Sequence, residues 1–266
     1  MGWWGKLVGG AFGFALGGPL GALLGAALGH GFDRGLKGSA EPALAPGDRE
    51  RVQTAFFAAT FAVMGRIAKA DGRVSPDEIR LAEAVMAEMD LAPELRRAAI
   101  DLFNQGKQPD FALDAVLDQF RQECHRRYTL IQMFVEIQVQ AAYADDALDS
   151  AEEGVLLHIC RHLGVPEFVF RRIVERTRAE RDFARTRAEG RAAARRGALA
   201  DAYAVLGVSE RDDPETIKKA YRRLTSQHHP DKLVSKGLPE EMMRLAAQKT
   251  REIREAYEQV REARGF

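Results

Sequence analysis

The sequence predicts an all-α protein with a single N-terminal transmembrane helix, a central helical bundle and a C-terminal helical hairpin. Three observations predict this fold. Residues 7–29 form an uncharged, glycine-rich stretch. From residue 48 to about residue 177, apolar residues recur at the three-to-four spacing of amphipathic helices, without sustained alternation of period two. From residue 200 onward, a new set of short amphipathic segments is separated by glycine and proline.

The bulk composition excludes several classes of function. Lysine plus arginine equals aspartate plus glutamate at 39 each, so the global charge indicates no nucleic-acid partner. The only two cysteines, Cys124 and Cys160, cannot build a disulfide framework, and their spacing is not that of a zinc site. We expect them to be reduced thiols packed in helices. No motif indicates a cofactor.

The stretch Leu7–Gly29 is long enough to cross a membrane. At 1.5 Å per residue a helix of this length is about 34 Å long, which matches the hydrocarbon core of a bilayer. Trp3 and Trp4 precede it and Arg34 and Lys37 follow it, as interfacial residues do. A cleaved signal peptide is the alternative, but its basic segment would contain only Lys6. The excess of basic residues after the span weakly favours a cytoplasmic C-terminal side.

Glycines recur at every fourth position of this stretch and share one helix face. Such a face lets two helix backbones approach closely in lipid, so it predicts pairing with a second copy of the chain. The glycines assigned to the pairing face are Gly9, Gly13, Gly17, Gly21 and Gly25.

A proline- and glycine-containing linker, residues 38–47, separates this N-terminal segment, residues 1–37, from a helical domain at residues 48–178. Residues 68–78 of that domain resemble residues 142–152. Each copy ends one helix at an aspartate and restarts another with an N-cap and a glutamate three positions later, as in a capping box. The matched positions are Asp71, Ser75 and Glu78 in the first copy and Asp145, Asp149 and Glu152 in the second.

These two repeated segments, the acidic elbows, each join two helices and resemble the corresponding segments of TerB-like domains. That family is all-helical, and the resemblance implies that acidic elbow residues could bind a divalent metal or that the domain has a ligand yet unknown. The candidate metal positions are Asp71, Asp77, Glu78, Asp145, Asp149 and Glu152. Helix capping explains most of these carboxylates without a metal, and we favour it. His158 and His162 share a helix face, but no third ligand accompanies them in sequence, so we interpret them as ordinary surface or packing residues.

Residues 179–199 are rich in arginine and poor in large apolar residues, which predicts a basic tether, either a solvated helix or a flexible segment. The C-terminal module, residues 200–266, follows. Its second predicted helix opens at Asp213 and Pro214, as N-cap and first residue, and ends before Pro230. This helix has a cationic outer face made of Lys218, Lys219, Arg222 and Arg223.

The C-terminal module resembles the J-domain family. Four motifs support this resemblance: YAVLGV at residues 203–208, IKKAYRRL at 217–224, the signature HPDK at 229–232 and EIREAY at 252–257. The resemblance implies a co-chaperone, not an enzyme, that triggers ATP hydrolysis by a DnaK-type chaperone. His229, Pro230 and Asp231 would form the trigger, and the cationic face would meet an acidic surface of the chaperone.

The combination of an anchor, a TerB-like domain and a J-domain resembles the bacterial inner-membrane J-proteins. DnaK-type chaperones are cytosolic, so this resemblance implies cytoplasmic C-terminal domains and a short periplasmic N-terminus. A second hypothesis treats the chain as a metal- or ligand-sensing membrane module, with the TerB-like domain as sensor and the J-domain as output.

Overall fold

The structure is a computed structural model, and it describes residues 17–32, 47–70, 72, 80, 83–87, 89–143, 148–189 and 194–266. The regular elements of these ranges are helices. They are α1 Gly18–Phe32, α2 Asp48–Ile67, α3 Pro93–Gly106, α4 Leu113–Glu123, α5 Tyr128–Ala142, α6 Ser150–Leu163, α7 Glu167–Glu189, α8 Ala194–Leu206, α9 Pro214–His228, α10 Pro230–Ser235, a 3₁₀ turn at Glu240–Met242, and α11 Met243–Arg264.

Helix α2 is the central element of the TerB-like domain. It is buried on all sides from Val52 to Gly65, and α3, α4, α5 and α6 surround it. A helix that is apolar all round can be stable in water only in such a position. Phe56 of α2 lies 5.9 Å and 6.1 Å, ring centroid to ring centroid, from Phe120 of α4 and Phe134 of α5. These three rings form the centre of the core.

Helices α2 and α3 approach each other closely because glycines stand at the contact. A Cβ atom added at Gly65 would lie 2.0 Å from the carbonyl oxygen of Phe103, and one added at Gly106 would lie 1.8 Å from that of Ala62. Both obstacles are backbone atoms, which cannot rotate away. The two helices would have to separate to admit any side chain.

We therefore expect Gly65→Ala to destabilise the TerB-like domain by about 1–3 kcal/mol or more, the usual cost of forcing extra volume into a packed core. Gly154→Ala is the matched control, because Gly154 lies in α6 and an added Cβ would meet nothing within 4 Å. Replacing a helical glycine with alanine in open space is expected to stabilise the protein by up to about 1 kcal/mol. Urea unfolding of both variants measures the difference, and equal midpoints would contradict the close contact.

Helix α1 packs on the TerB-like domain. Leu20, Leu24 and Ala27 are buried against α3 and α4. The side-chain amide of Gln119 accepts a hydrogen bond from the N–H of Leu20 at 2.8 Å and donates one to the carbonyl of Gly17 at 2.9 Å. The start of α1 is therefore held by α4.

The bounds of α1 differ from the predicted helix, residues 7–29. Gly17 precedes α1 with φ +61°, and Gly18 begins it with φ +60°, which are left-handed conformations at which a right-handed helix stops. Gly17 therefore does not belong to the helical stripe. Gly21 and Gly25 do lie in α1, but Gly21 is buried within the chain, so of these two only Gly25 is exposed for pairing. Residues 7–16, with Gly9 and Gly13, lie outside the described residues. No helix in the described ranges is both long enough and apolar enough to cross a membrane.

The second acidic elbow is a capping box, as the sequence predicts. Asp149 is the N-cap of α6, and its carboxylate accepts a hydrogen bond from the N–H of Ala151 at 2.6 Å. The Glu152 carboxylate accepts one from the N–H of Asp149 at 3.0 Å. Both acids thus have a structural role. The other candidate metal positions, Asp71, Asp77, Glu78 and Asp145, lie outside the described residues.

The predicted basic tether is largely a helix with a packed face. Helix α7 runs without interruption to Glu189, and Ala179 and Phe183 are buried in one hydrophobic cluster with Tyr203 and Ile253 of the J-domain. Two apolar residues at positions i and i+4 lie on the same helix face, so they can pack against the J-domain even though most other positions of the helix are charged. The tether prediction is therefore wrong for residues 179–189. Helix α8 also begins at Ala194, earlier than the predicted residue 200.

The J-domain hairpin follows the predicted caps. Gly207 ends α8 with φ +64°, and the Asp213 carboxylate caps α9 by accepting a hydrogen bond from the N–H of Thr216 at 2.9 Å. Tyr221 of α9 and Tyr257 of α11 stack with ring centroids 4.2 Å apart. Helix α10 begins at Pro230, within the HPDK motif, and continues to Ser235.

Both cysteines are free and buried, as the sequence predicts. Burial raises the pKa of the Cys124 thiol to about 12 and that of the Cys160 thiol to about 12. Since the thiolate is the reactive form, these residues are packing residues in the TerB-like core.

Candidate functional site

The His229-Pro230-Asp231 segment joins α9 to α10. His229 has φ −61° and ψ 122°, an extended conformation that the following proline favours. Its Nδ1 accepts a hydrogen bond from the N–H of Asp231 at 3.2 Å, so His229 is the N-cap of α10 and Pro230 is the first helical residue. Because Nδ1 accepts, the proton of the neutral ring lies on Nε2.

Two of the three signature side chains reach solvent. The Asp231 side chain is 87% exposed and the His229 side chain is 46% exposed. The distance from the Asp231 Oδ2 atom to His229 Nδ1 is 4.0 Å. A carboxylate and a ring N–H, both accessible and held at the start of one helix, can form charge-assisted hydrogen bonds with a partner protein.

The predicted cationic face of α9 divides into two groups. Lys219 and Arg222 are exposed to solvent. Lys218 forms an ion pair with Glu215 at 3.1 Å and lies over the Phe266 ring, 5.5 Å from its centroid. Arg223 is exposed as well, but it also lines a cavity of about 450 Å³ between the J-domain and α7, together with Arg172. Partial burial, and then the charges of Arg172 and Arg176, lower the pKa of Arg223.

The segment after the signature is built into the TerB-like domain. Leu233 of α10 and Leu238 beyond it are buried in the same hydrophobic core as α2. The Gln53 side chain donates a hydrogen bond to the carbonyl of Leu238 at 3.3 Å. Gly237 has φ +104°, and an added Cβ would lie 2.6 Å from Cγ1 of Val52. The base of the signature loop is therefore fixed by a second domain.

A buried ionic cluster lies behind the signature loop. His228, the residue before it, contacts the Glu136 carboxylate of α5 with its Nε2 atom at 2.8 Å, and its Nδ1 lies 2.9 Å from the carbonyl of Leu224. Glu136 also forms an ion pair with Arg176 of α7. Lys249 of α11 pairs with Glu180 of α7, so the cluster joins acids of α5 and α7 to bases of the J-domain.

The charges in this cluster stabilise one another. Burial on its own would raise the pKa of Glu136, but Arg176, then His228 and Lys249, hold it well below its usual range. Burial likewise opposes the charge of Lys249, but the nearby Glu180 and Glu136 carboxylates raise its pKa above the ordinary value. Glu136 is therefore a buried carboxylate that stays ionised because bases of both domains compensate it.

Sequence reasoning missed this cluster. The one available signal was Glu136, a lone charge inside the apolar run from Met133 to Val139. A charge at a buried position requires partners, since an isolated buried ion is very costly. The partners themselves, Arg176 and Lys249, come from helices 40 and more residues away along the chain.

Three family models match the chain. The model of the DjlA co-chaperone transmembrane domain matches residues 1–39, that of the tellurite resistance protein TerB matches residues 57–175, and that of the DnaJ domain matches residues 201–264. Co-chaperone protein DjlA of Coxiella burnetii is 46% identical to this chain, and those of Shewanella oneidensis and Escherichia coli K12 are 42% identical. Each alignment covers 100% of both chains. No solved structure matches the chain.

Proposed function

Because the chain belongs to the family of DjlA co-chaperones, we propose that it stimulates ATP hydrolysis by a DnaK-type chaperone through its J-domain. His229, Pro230 and Asp231 are the trigger, and the cationic face of α9 is the docking surface. The observation that carries this proposal is the geometry of the trigger loop. Its two polar side chains are exposed, while the backbone on both sides of it is fixed.

Each part of the loop has a role in this proposal. Pro230 fixes the first turn of α10, and His229 caps that turn, so the loop does not have to be ordered on binding. Asp231 is then free to pair with a basic side chain of the chaperone. Lys219 and Arg222 lie on the exposed surface of α9 and attract an acidic surface, which raises the association rate. The bond-breaking chemistry belongs to the chaperone.

The test is single-turnover ATP hydrolysis by the cognate chaperone in the presence of the full-length protein. We expect the double variant Lys219→Glu, Arg222→Glu to require at least about tenfold more protein for half-maximal stimulation, because two attractive charges become repulsive. The difference should shrink as salt screens the charges. Arg96→Glu with Arg97→Glu, a reversal of two exposed charges on α3, is the control and should behave as the wild type. Equal defects in the two double variants would refute the docking surface.

We also propose where the protein lies in the cell. Residues 1–39 anchor the chain in the bacterial inner membrane, and the TerB-like domain and J-domain lie on the cytoplasmic side. Two facts support it: the match of this segment to a transmembrane-domain family and the excess of basic residues after the uncharged stretch. A DnaK-type partner in the cytosol requires the same orientation.

We propose further that two anchors pair through their glycines, which would bring two J-domains together at the membrane. Gly25 is the informative position, because an added Cβ would meet nothing within 4 Å in the described chain. Gly25→Leu is therefore expected to reduce the dimer fraction in membranes, because the larger side chain keeps two helix backbones apart. Ala26→Leu is the control, because Ala26 is also exposed but lies about 100° around the helix from Gly25. Crosslinking in isolated membranes measures both, and an unchanged dimer fraction in Gly25→Leu would refute the pairing.

A further inference from the structure

Two aspartates and two histidines face each other across α4 and α6. Asp114 and Asp118 are one helical turn apart on α4, and His158 and His162 are one turn apart on α6. His158 Nε2 lies 2.6 Å from Asp114 Oδ1, and His162 Nε2 lies 2.8 Å from Asp118 Oδ1. Each contact joins residues 44 positions apart, so the helices run in parallel here and form two successive cross-helix pairs.

The inner atoms of this group are arranged as metal ligands. His162 directs its Nδ1 toward Asp114, with 3.9 Å between Nδ1 and Oδ1. One ligand atom each from Asp114, His158 and His162 lies within 4.8 Å of the other two. Ligand atoms at 2.0–2.1 Å from a tetrahedral zinc ion stand about 3.3 Å apart. The 2.6 Å and 3.9 Å separations lie on either side of that value, so each changes by less than about 1 Å when an ion enters.

We propose that Asp114, His158 and His162 bind a divalent transition-metal ion, Zn²⁺ by preference, on the outer face of the TerB-like domain. Two imidazoles and one carboxylate are a ligand set suited to Zn²⁺ and poorly suited to Mg²⁺ or Ca²⁺, which prefer oxygen. Three protein ligands leave a fourth position for water.

Asp118 is not one of the three ligands, but it hydrogen-bonds to the ligand His162. Its carboxylate accepts a hydrogen bond from Nε2 of His162, which fixes the ring and leaves the Nδ1 lone pair directed at the metal position. A carboxylate behind a histidine ligand is a common feature of zinc sites and raises the basicity of the ligand nitrogen. Asp118 is thus a positioning residue.

The electrostatics of Asp114 agree with this geometry. The hydrogen bond from His158 lowers the pKa of the Asp114 carboxyl more than burial raises it. The ring of His158 then exchanges its donated hydrogen bond for a bond to the metal. The site therefore differs from the acidic elbows in both ligand type and position.

Spacing along the chain gives His158 and His162 no third ligand, whereas the structure places Asp114 of α4 beside them. The third ligand comes from α4, which the sequence does not place beside α6. A bound ion would connect these two helices directly, so it would also stabilise the TerB-like domain against unfolding.

The test is titration calorimetry of the full-length protein in detergent with ZnCl₂, with MgCl₂ and CaCl₂ as comparisons. We expect one Zn²⁺ per chain and no heat from Mg²⁺ or Ca²⁺. His158→Gln with His162→Gln is expected to abolish Zn²⁺ binding, and Asp118→Asn to weaken it about 10- to 100-fold. These side chains lie at the surface, so the variants should fold, and far-UV circular dichroism checks that they do.

The matched control is His125→Gln, which changes an exposed histidine in the turn after α4 and should leave Zn²⁺ affinity unchanged. Co²⁺ provides an independent signal, because the wild type should give the intense visible absorption of four-coordinate cobalt and the double histidine variant should not. Absence of Zn²⁺ heat in the wild type, or equal binding by the double histidine variant, overturns the proposal.

Discussion

His229→Gln is expected to abolish the stimulation of single-turnover ATP hydrolysis and leave the chaperone at its basal rate. The imidazole caps α10 through Nδ1 and presents its opposite nitrogen outward. Glutamine has a longer, flexible side chain that is not a preferred N-cap, so the variant loses both the cap and the fixed outward donor. Loss of about 2 kcal/mol of stabilisation in the state of the complex that hydrolyses ATP lowers the stimulated rate roughly 30-fold, and excess protein does not restore it.

Two comparisons distinguish a trigger from a docking contact. His125→Gln removes an exposed imidazole far from the loop in sequence and should stimulate hydrolysis as the wild type does. The α9 variant with Lys219 and Arg222 reversed should recover when the protein is in excess, since it lacks only attraction. His229→Gln should stay defective at saturation. Full recovery of His229→Gln at high concentration would show that His229 contributes affinity alone.

Glu136→Gln is expected to be the most destabilising of the conservative substitutions discussed here. Glutamine keeps the size of the side chain but removes the charge that compensates Arg176 and supports His228 and Lys249. Leaving buried bases without their acid typically costs about 3–5 kcal/mol. The midpoint of urea unfolding measures the loss. Because the cluster joins two domains, the transition should also become less cooperative.

The control for this prediction is Glu153→Gln. Glu153 pairs with Arg171 on the surface of the same domain, where the ions are solvated. Such pairs contribute little to stability, so the unfolding midpoint should stay within error of the wild type. If the two glutamine variants had the same midpoint, the buried cluster would not stabilise the contact between the domains.

The same cluster predicts a response to acid. The folded protein holds the pKa of Glu136 well below that of an unfolded glutamate, which is about 4.3. A lowered pKa stabilises the folded state fully above the unfolded value, and this contribution is lost as the pH falls from there toward the folded pKa. The wild type should therefore lose stability steeply below about pH 4. In Glu136→Gln this part of the slope should be absent.

Local features were predictable from the sequence because their causes are local. The capping aspartates Asp149 and Asp213 and the proline after His229 act within one turn of chain, and the structure has them as expected. Apolar spacing likewise predicted that this segment is a helix, although burial of α2 on all sides depends on its neighbours. Neither the ends of these helices nor their amphipathic faces required knowledge of a neighbour.

The missed features all depend on distant partners. Phe183 packs the polar helix α7 against the J-domain, which begins later in the chain. Composition alone does not show this contact, so it predicted a tether. Glu136 meets a histidine 92 positions away, and His158 meets an aspartate 44 positions away. Sequence spacing carries no information about such pairs, because tertiary packing decides them.

The insertion of Leu233 and Leu238 into the core around α2 has a consequence for the biogenesis of the protein. That core also includes Leu245 and Ala246, so its last members are made when nearly all of the TerB-like domain has already left the ribosome. Domains usually fold in the order of their synthesis. Here the first domain must wait with part of its apolar core uncovered until residue 246 has emerged. We therefore expect a nascent chain shorter than this to expose apolar residues of the TerB-like core and to be more prone to aggregation than the full-length chain.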